Sequence, residues 1–464
     1  MDTTLMNFKA QEARALLRLI LPILATQLAQ VGMGTVDTLM SGYVSTRDLA
    51  AVAIGTSLWM PVWLFLAGIL VALSPMAAKM KAASSIQDEL PDLLRAALWI
   101  GIVAGTLSGL VLWGMSQALP VIVDDARTAD IAAKYTLAIA VGMPGAGIFL
   151  AYRFYAEALN EASQVTRIML TGLAANIPLN AVFVYGWLGM PALGGIGCGI
   201  GSTLVFAGMA AAMAINTRRR RIPSGYSLWR RLLQPDFARI RSILWIGVPI
   251  GIAIFFEVTL FTAIALFLTD LGPVVVAAHQ VALSLTSVTF MIPLSVAMAL
   301  SVRVGHWLGS NRTDLARRTA WLGIGINLIF AVISATVMVL FSYRLTSLYT
   351  PDPAVIALAS TLMMYAAVFQ ISDATQVAAA GALRGYHDTL VVMLITFVTY
   401  WLVGLGLGYW LAFGRGNAGG AEDFWTGLVI GLTTAAVLLS WRLWVVSRQT
   451  DESQRPRQAT GQLL

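Results

Sequence analysis

Charge is what this 464-residue sequence has least of. Only 11% of its residues are Asp, Glu, Lys or Arg, where soluble domains carry roughly 25%. With 58% hydrophobic residues and a mean hydropathy of +0.77, an ordinary water-soluble domain is excluded. Cysteine occurs once, as Cys198, so there is no internal disulfide and no cysteine evidence about an oxidising compartment. Lysine occurs four times (Lys9, Lys79, Lys81, Lys134), never after a glycine. That excludes a phosphate-binding P-loop and ATP hydrolysis by that route. The three histidines, His279, His306 and His387, are scattered and form no H-E-x-x-H pair for a membrane metalloprotease. No nucleophile elbow with a suitable triad occurs. An enzyme is not expected, nor is a resident cofactor.

What the sequence does have is long apolar runs. Lipid offers no partners to unpaired backbone, so only helices or closed barrels cross it. Barrel strands alternate polar and apolar residues, and these runs do not. About 20 apolar residues span a bilayer, which predicts twelve spans: 15–41, 48–78, 92–116, 130–156, 165–187 and 190–215, then 241–269, 276–303, 317–343, 355–383, 388–412 and 424–446. The first is too long and uninterrupted for a cleaved signal and is read as a span.

Of the 30 Lys and Arg, 25 fall at the termini and in the connections after even-numbered spans, with the span ends that flank them. The five others are Arg47, Arg127, Lys134, Arg344 and Arg415. The positive-inside rule then places both termini of this multi-pass protein in the cytoplasm. The same rule accounts for the net charge of +7 and for the arginine-rich connection at 216–240, read as a topogenic linker rather than a nucleic-acid or anionic-lipid site. The expected partners are the lipid bilayer and small molecules, with no nucleic acid, and the chain is expected to act as a monomer.

The two halves repeat. A shift of 227 places Pro22 on Pro249, Leu49-Ala50-Ala51 on Val276-Ala277-Ala278, and Ser74 on Ser301. Six spans per half preserve orientation, so the halves relate by an axis along the membrane normal, a common transporter design. The predicted organisation is an N-lobe at 1–215, the linker at 216–240, and a C-lobe at 241–464 ending in a short cytoplasmic tail. Pro22 and Pro249 each remove a backbone donor inside a helix, and their matched positions suggest paired bending elements.

Three acids lie clearly inside spans: Asp37, Glu257 and Asp373. A charged group at a helix centre costs roughly 2.5–3.5 kcal/mol on insertion scales and usually faces a polar cavity. No lysine lies deep in a span, and Arg153 is the one arginine near enough to weigh, so basic partners cannot neutralise all three. Each acid then holds a proton or a cation, or serves as a hydrogen-bonding group between helices. At 1.5 Å per residue, Glu257 lies about 24 Å, and Asp373 about 15 Å, from the cytoplasmic ends of their helices. Both are at mid-membrane depth. Polar companions recur at helical spacing: Gln370, Asp373 and Gln376; Asn176 and Asn180; Gln27 and Gln30; His279 and Gln280. The glycine-rich run Gly194–Gly199 lacks the third glycine of a nucleotide loop and is read as close helix packing.

The segments GMGTVDTLMSG, NIPLNAVFVYG and LGGIGCG in the first half resemble the multidrug and toxic compound extrusion (MATE) family. PIGIAIFFEVTLF, VVAAHQVAL, SVRVGHWLG and AAAGALRGYHDT in the second half resemble its bacterial NorM branch. The resemblance runs nearly end to end. It implies an all-α polytopic membrane protein with twelve transmembrane helices in two pseudo-symmetric six-helix bundles. The implied activity is expulsion of organic cations and related drugs in exchange for Na+, H+ or both. Carried over by residue, Glu257 and Asp373 match the C-lobe cation-binding acids, which are also the Na+ candidates. Asp37 matches the N-lobe acid, with Asn176 and Asn180 beside it. Gln280 and Gln376 are candidate secondary polar groups. Relatives carry a tyrosine four residues before the span-10 acid, where this chain has Phe369, whose ring supplies no oxygen. A lipid-linked precursor flippase of similar architecture would want a cationic cavity, and a non-transporting scaffold or receptor would not need the acids.

Overall fold

A computed structural model describes the backbone of residues 2–83, 89–219, 234–414 and 419–460, with side chains over 8–83, 89–218, 234–414 and 419–450. The arginine-rich stretch 220–233 lies outside the described residues, as does Arg415.

Twelve helices are long and apolar enough to cross a membrane, matching the twelve expected spans one for one. They are α1 (Phe8–Gly42), α2 (Thr46–Ala82), α3 (Leu90–Ile122), α4 (Ala126–Ala158), α5 (Ala162–Tyr185), α6 (Gly195–Arg218), α7 (Phe237–Leu271), α8 (Pro273–Gly309), α9 (Thr313–Leu340), α10 (Pro353–Gly385), α11 (Thr389–Phe413) and α12 (Ala421–Thr450). Most run several residues past the apolar stretch at one or both ends. The extra turns carry polar residues and are started by side-chain caps: Ser45 for α2, Asp125 for α4 and Asp352 for α10. The exposed Asp125 carboxyl is held below the usual carboxylate range, chiefly by the Thr128 hydroxyl and then by the Thr128 N–H.

The chain forms two compact units, and both boundaries fall inside helices. One unit is Pro22–Gly251; the other is Met1–Leu21 with Ile252–Leu464. The 227-residue repeat thus has a physical counterpart, because the changeovers sit at or beside Pro22 and Pro249, which both lie within continuous helices.

In the unit Pro22–Gly251, α3 presents Gly101, Gly105 and Gly109 at four-residue spacing. A Cβ at these positions would meet the carbonyls of Gly147, Met143 and Ala140 on α4 at 2.5–2.6 Å. Glycine here lets two backbones touch, the packing that replaces the hydrophobic drive lipid cannot supply. The expected close packing at the start of α6 is also present. Gly194 adopts a left-handed φ of +58°, and the Asp48 carboxylate accepts the Gly195 N–H at 2.6 Å. Cys198 is buried there as a packing residue.

In the other unit, the core gathers Leu260, Ile264, Leu362, Met363, Phe424, Trp425 and Leu428 with their neighbours. Helix α11 is irregular: after an α-helical turn region it becomes π-helical over Val398–Leu405. At the start of α1, Glu12 is buried and accepts from Arg303 Nε at 2.8 Å and Nη2 at 2.6 Å, from Trp307 Nε1 at 3.1 Å and from the Thr319 hydroxyl at 3.1 Å.

Candidate functional site

The unit containing Ile252–Leu464 brings Glu257 of α7 and Asp373 of α10 together. Each lies within range of the other's charge. Asp373 is buried, and Gln376, one turn on, donates to its Oδ1 at 3.1 Å. Glu257 is partly exposed and accepts no hydrogen bond among the described residues. Two like charges in a low-dielectric interior repel unless a cation or proton stands between them. Two carboxylates with one donor between them therefore fit a cation or a shared proton.

The surrounding groups sharpen this fit. Gln370, the third member of the α10 polar face, is buried and accepts from the Thr289 hydroxyl at 3.3 Å. Asn327 of α9 donates to the Ala374 carbonyl at 2.7 Å, which leaves its Oδ1 buried without a partner. Tyr400 of α11 is buried against Gln376 and within range of both acids. The two carboxylates themselves offer oxygen, the donor type hard monovalent cations prefer.

Phe369 contributes no polar atom. It is buried against Phe261 and Trp425, with ring centroids 6.2 and 6.0 Å away. Trp425 in turn donates its indole N–H to His279 Nδ1 at 3.2 Å. This fixes the His279 proton on Nε2, which is buried without a partner, so His279 belongs to an aromatic group with Phe369 and Trp425. Gln280 is exposed on α8 and shares no hydrogen bond with Asp373 or Gln376 among the described residues.

The unit Pro22–Gly251 holds the other acid in a different state. Asp37 is buried, and its Oδ1 accepts from Asn180 Nδ2 at 2.6 Å and Asn176 Nδ2 at 3.3 Å. Its Oδ2 accepts from the Ser202 hydroxyl at 2.9 Å. Asn176 and Asn180 stand one turn apart on α5, and Gly201 on α6 leaves the space that the Asn180 carbonyl oxygen fills. Three neutral donors converge on one carboxylate, so Asp37 is solvated by the protein where Glu257 is not.

Two expectations about buried charge need correction. Acids in spans are not confined to three, since Glu157 at the end of α4 and Glu12 near the start of α1 are also buried. Each takes an arginine: Arg303 pairs with Glu12, and Arg153 Nε donates to Glu157 at 2.9 Å, while the Arg153 Nη atoms reach Gln30 at 3.3 Å and Gln27 at 2.5 Å. Nor is Glu257 remote from every cation. Arg384 at the end of α10 lies within range of its charge, with the guanidinium Nε buried and unpartnered. Of these pairings only Arg153–Glu157, at i and i+4 on one helix, has a spacing signal; the others have none, and each arginine sits near an expected span end and reads as a snorkelling charge.

Comparison with known proteins gives a consistent result. The MatE family model matches residues 22–182 and again 249–410, once per repeat and beginning at Pro22 and Pro249. A Shewanella oneidensis protein, "Probable multidrug resistance protein NorM", is 39% identical over 96% of this chain and 97% of its own length. "Multidrug resistance protein MdtK" of Pectobacterium atrosepticum is 40% identical over 94% of this chain and 96% of its own. Among solved structures, the MATE transporter NorM-NG, in a complex that includes a monobody, is 34% identical, covers 94% of this chain and 95% of that one, and superposes with a TM-score of 0.79.

Proposed function

The chain belongs to the MatE family, and from that premise we propose that it is a multidrug efflux antiporter rather than an enzyme. It exports organic cations and related drugs from the cytoplasm of a bacterial cell in exchange for Na+, H+ or both. In this reading it is a multi-pass inner-membrane protein, both termini are cytoplasmic, and the linker at 216–240 joins the sixth span to the seventh.

The observation that carries the mechanism is the contrast between carboxylates: among the described residues Asp373 accepts from one donor and Glu257 from none, whereas Asp37 has three. An under-solvated pair gains most from an arriving cation. Drug and coupling ion compete for that negative charge, so loading with Na+ or H+ from outside releases a cationic drug. The unloaded acids favour the state that takes up drug from inside. Such exchange requires each ligand to bind the two states unequally, since equal affinity shifts nothing. Asp37 acts in the same cycle as a fixed charge in the N-lobe. Pro22 and Pro249, at or beside the unit changeovers, are the bending elements.

The test is drug efflux from reconstituted vesicles under an imposed Na+ or pH gradient, for the wild type, Glu257→Gln and Asp373→Asn. Loss of one charge-assisted interaction, about 1.5–3 kcal/mol, corresponds to roughly a tenfold or greater fall in coupled efflux. If both variants pump like the wild type under either gradient, the carboxylate mechanism is wrong.

A further inference from the structure

We propose that the Tyr400 hydroxyl is a third oxygen ligand for Na+ at Glu257 and Asp373, delivered by the π-helical segment of α11. The inference rests on the carboxylate reading above and adds to it a residue from a third helix.

The backbone provides the first argument. Helix α11 turns π-helical at Val398–Leu405. Segments of this kind are rare, cost hydrogen-bond geometry and recur at functional sites. Widening the helix changes which residues share a face. Two consecutive aromatic residues, Tyr400 and Trp401, lie within this segment. Tyr400 is buried, and Trp401 donates its indole N–H to the Phe256 carbonyl at 3.1 Å. Phe256 is the residue before Glu257, so the π segment is fastened to α7 beside one of the two acids. On its other side the segment is seated against α12 by glycine. A Cβ at Gly431 would meet the Thr399 carbonyl at 2.7 Å and the Gly404 Cα at 2.9 Å; at Gly427 it would meet the Gly408 backbone at 2.6 Å. Glycines on both helices let the widened turn fit.

The chemistry provides the second argument. Gln376 donates to Asp373 Oδ1 at 3.1 Å, and the Tyr400 hydroxyl lies within range of that amide. A phenol oxygen offers one donor and two acceptor positions, so the Tyr400 hydroxyl has acceptor capacity for a cation. Tyr400 stands within range of both Glu257 and Asp373. Phe369, on the turn of α10 before Asp373, faces Phe261 and Trp425 and brings no oxygen. The oxygen absent from α10 at that turn is thus supplied from α11.

The test uses the full-length protein in detergent and reads binding rather than transport. Thermal unfolding is followed while Na+ replaces N-methylglucamine at constant ionic strength, because a ligand that binds only the folded state raises the midpoint with its concentration. Tyr400→Phe is expected to melt like the wild type without Na+ and to need about tenfold more Na+ for the same rise, the cost of one cation–oxygen contact of about 1.4 kcal/mol. Glu257→Gln is expected to lose the rise that belongs to this site. If Tyr400→Phe tracks the wild type while Glu257→Gln does not, the Tyr400 inference is overturned and the carboxylate reading stands. If Glu257→Gln also tracks the wild type, both fail. A wild type with no Na+-dependent rise overturns the inference and leaves the acids to protons. Should Tyr400→Phe not fold, Trp401→Phe, which unfastens the segment from α7, is expected to weaken the Na+ response severalfold, and an unchanged response overturns the inference.

Discussion

Replacing Glu12 with leucine is expected to destabilise the protein by about 3–5 kcal/mol, the range for removing one partner of a buried ion pair. The carboxylate takes four donors from two helices, and only 3% of its side chain and 13% of that of Arg303 are exposed. Its loss leaves a guanidinium, an indole N–H and a hydroxyl facing apolar surface. The Arg303 guanidinium also lies over the Trp307 ring, 5.2 Å from its centroid, and that contact does not replace a carboxylate. The measurement is thermal unfolding of purified protein for Glu12→Leu, Arg303→Met and the double variant. Because a buried pair owes much of its apparent worth to the penalty of orphaning one member, the double variant is expected to melt above Glu12→Leu. A Glu12→Leu midpoint equal to that of the wild type removes Glu12 as the anchor of α1 to its unit.

Glu12 also shows where the sequence stops being legible. The number and order of helices follow from apolar run length, because lipid forces every backbone group into a helix. The duplication shows in the 227-residue offset of Pro22 and Pro249, and the same two points are where the compact units change over. The spacing of Asn176 and Asn180 marks one helix face, but their place beside Asp37 is implied by the family resemblance and not by spacing; the structure brings the three together. Pairings such as Glu12–Arg303 or Arg153–Gln27, separated by 291 and 126 residues, depend on which helix ends meet. Apolar periodicity does not encode that. Tyr400 is hidden for another reason. A regular helix gives every residue a 100° step, and the π segment breaks that count over Val398–Leu405, where Tyr400 and Trp401 lie. Phe369 is legible as a missing oxygen, but its replacement on another helix is not.

At Asp37, leucine and asparagine are expected to separate structure from charge. Leucine leaves the amides of Asn176 and Asn180 and the hydroxyl of Ser202 without their acceptor in a buried site. At about 1–3 kcal/mol per orphaned group, the loss is about 3 kcal/mol or more, partly relieved because Asn180 Nδ2 also reaches Asn176 Oδ1 at 3.3 Å. Asparagine keeps an oxygen where the two amides converge and puts an NH2 where Oδ2 was. The Ser202 hydroxyl can rotate to accept from it, since a serine oxygen both donates and accepts, and Asp37→Asn is expected to unfold within about 1 kcal/mol of the wild type. The fold then survives without the charge. If Asp37 takes part in coupling, vesicle efflux by Asp37→Asn falls about tenfold or more while its melting midpoint holds. If efflux holds as well, Asp37 is a hydrogen-bonding centre of its unit, and coupling belongs to Glu257 and Asp373 alone. Three donors meet the Asp37 carboxylate in the absence of any cation, so its oxygens are hydrogen-bonded whether or not an ion is present. The C-lobe pair lacks those donors, and for this reason the proposed exchange of ion for drug is assigned to Glu257 and Asp373.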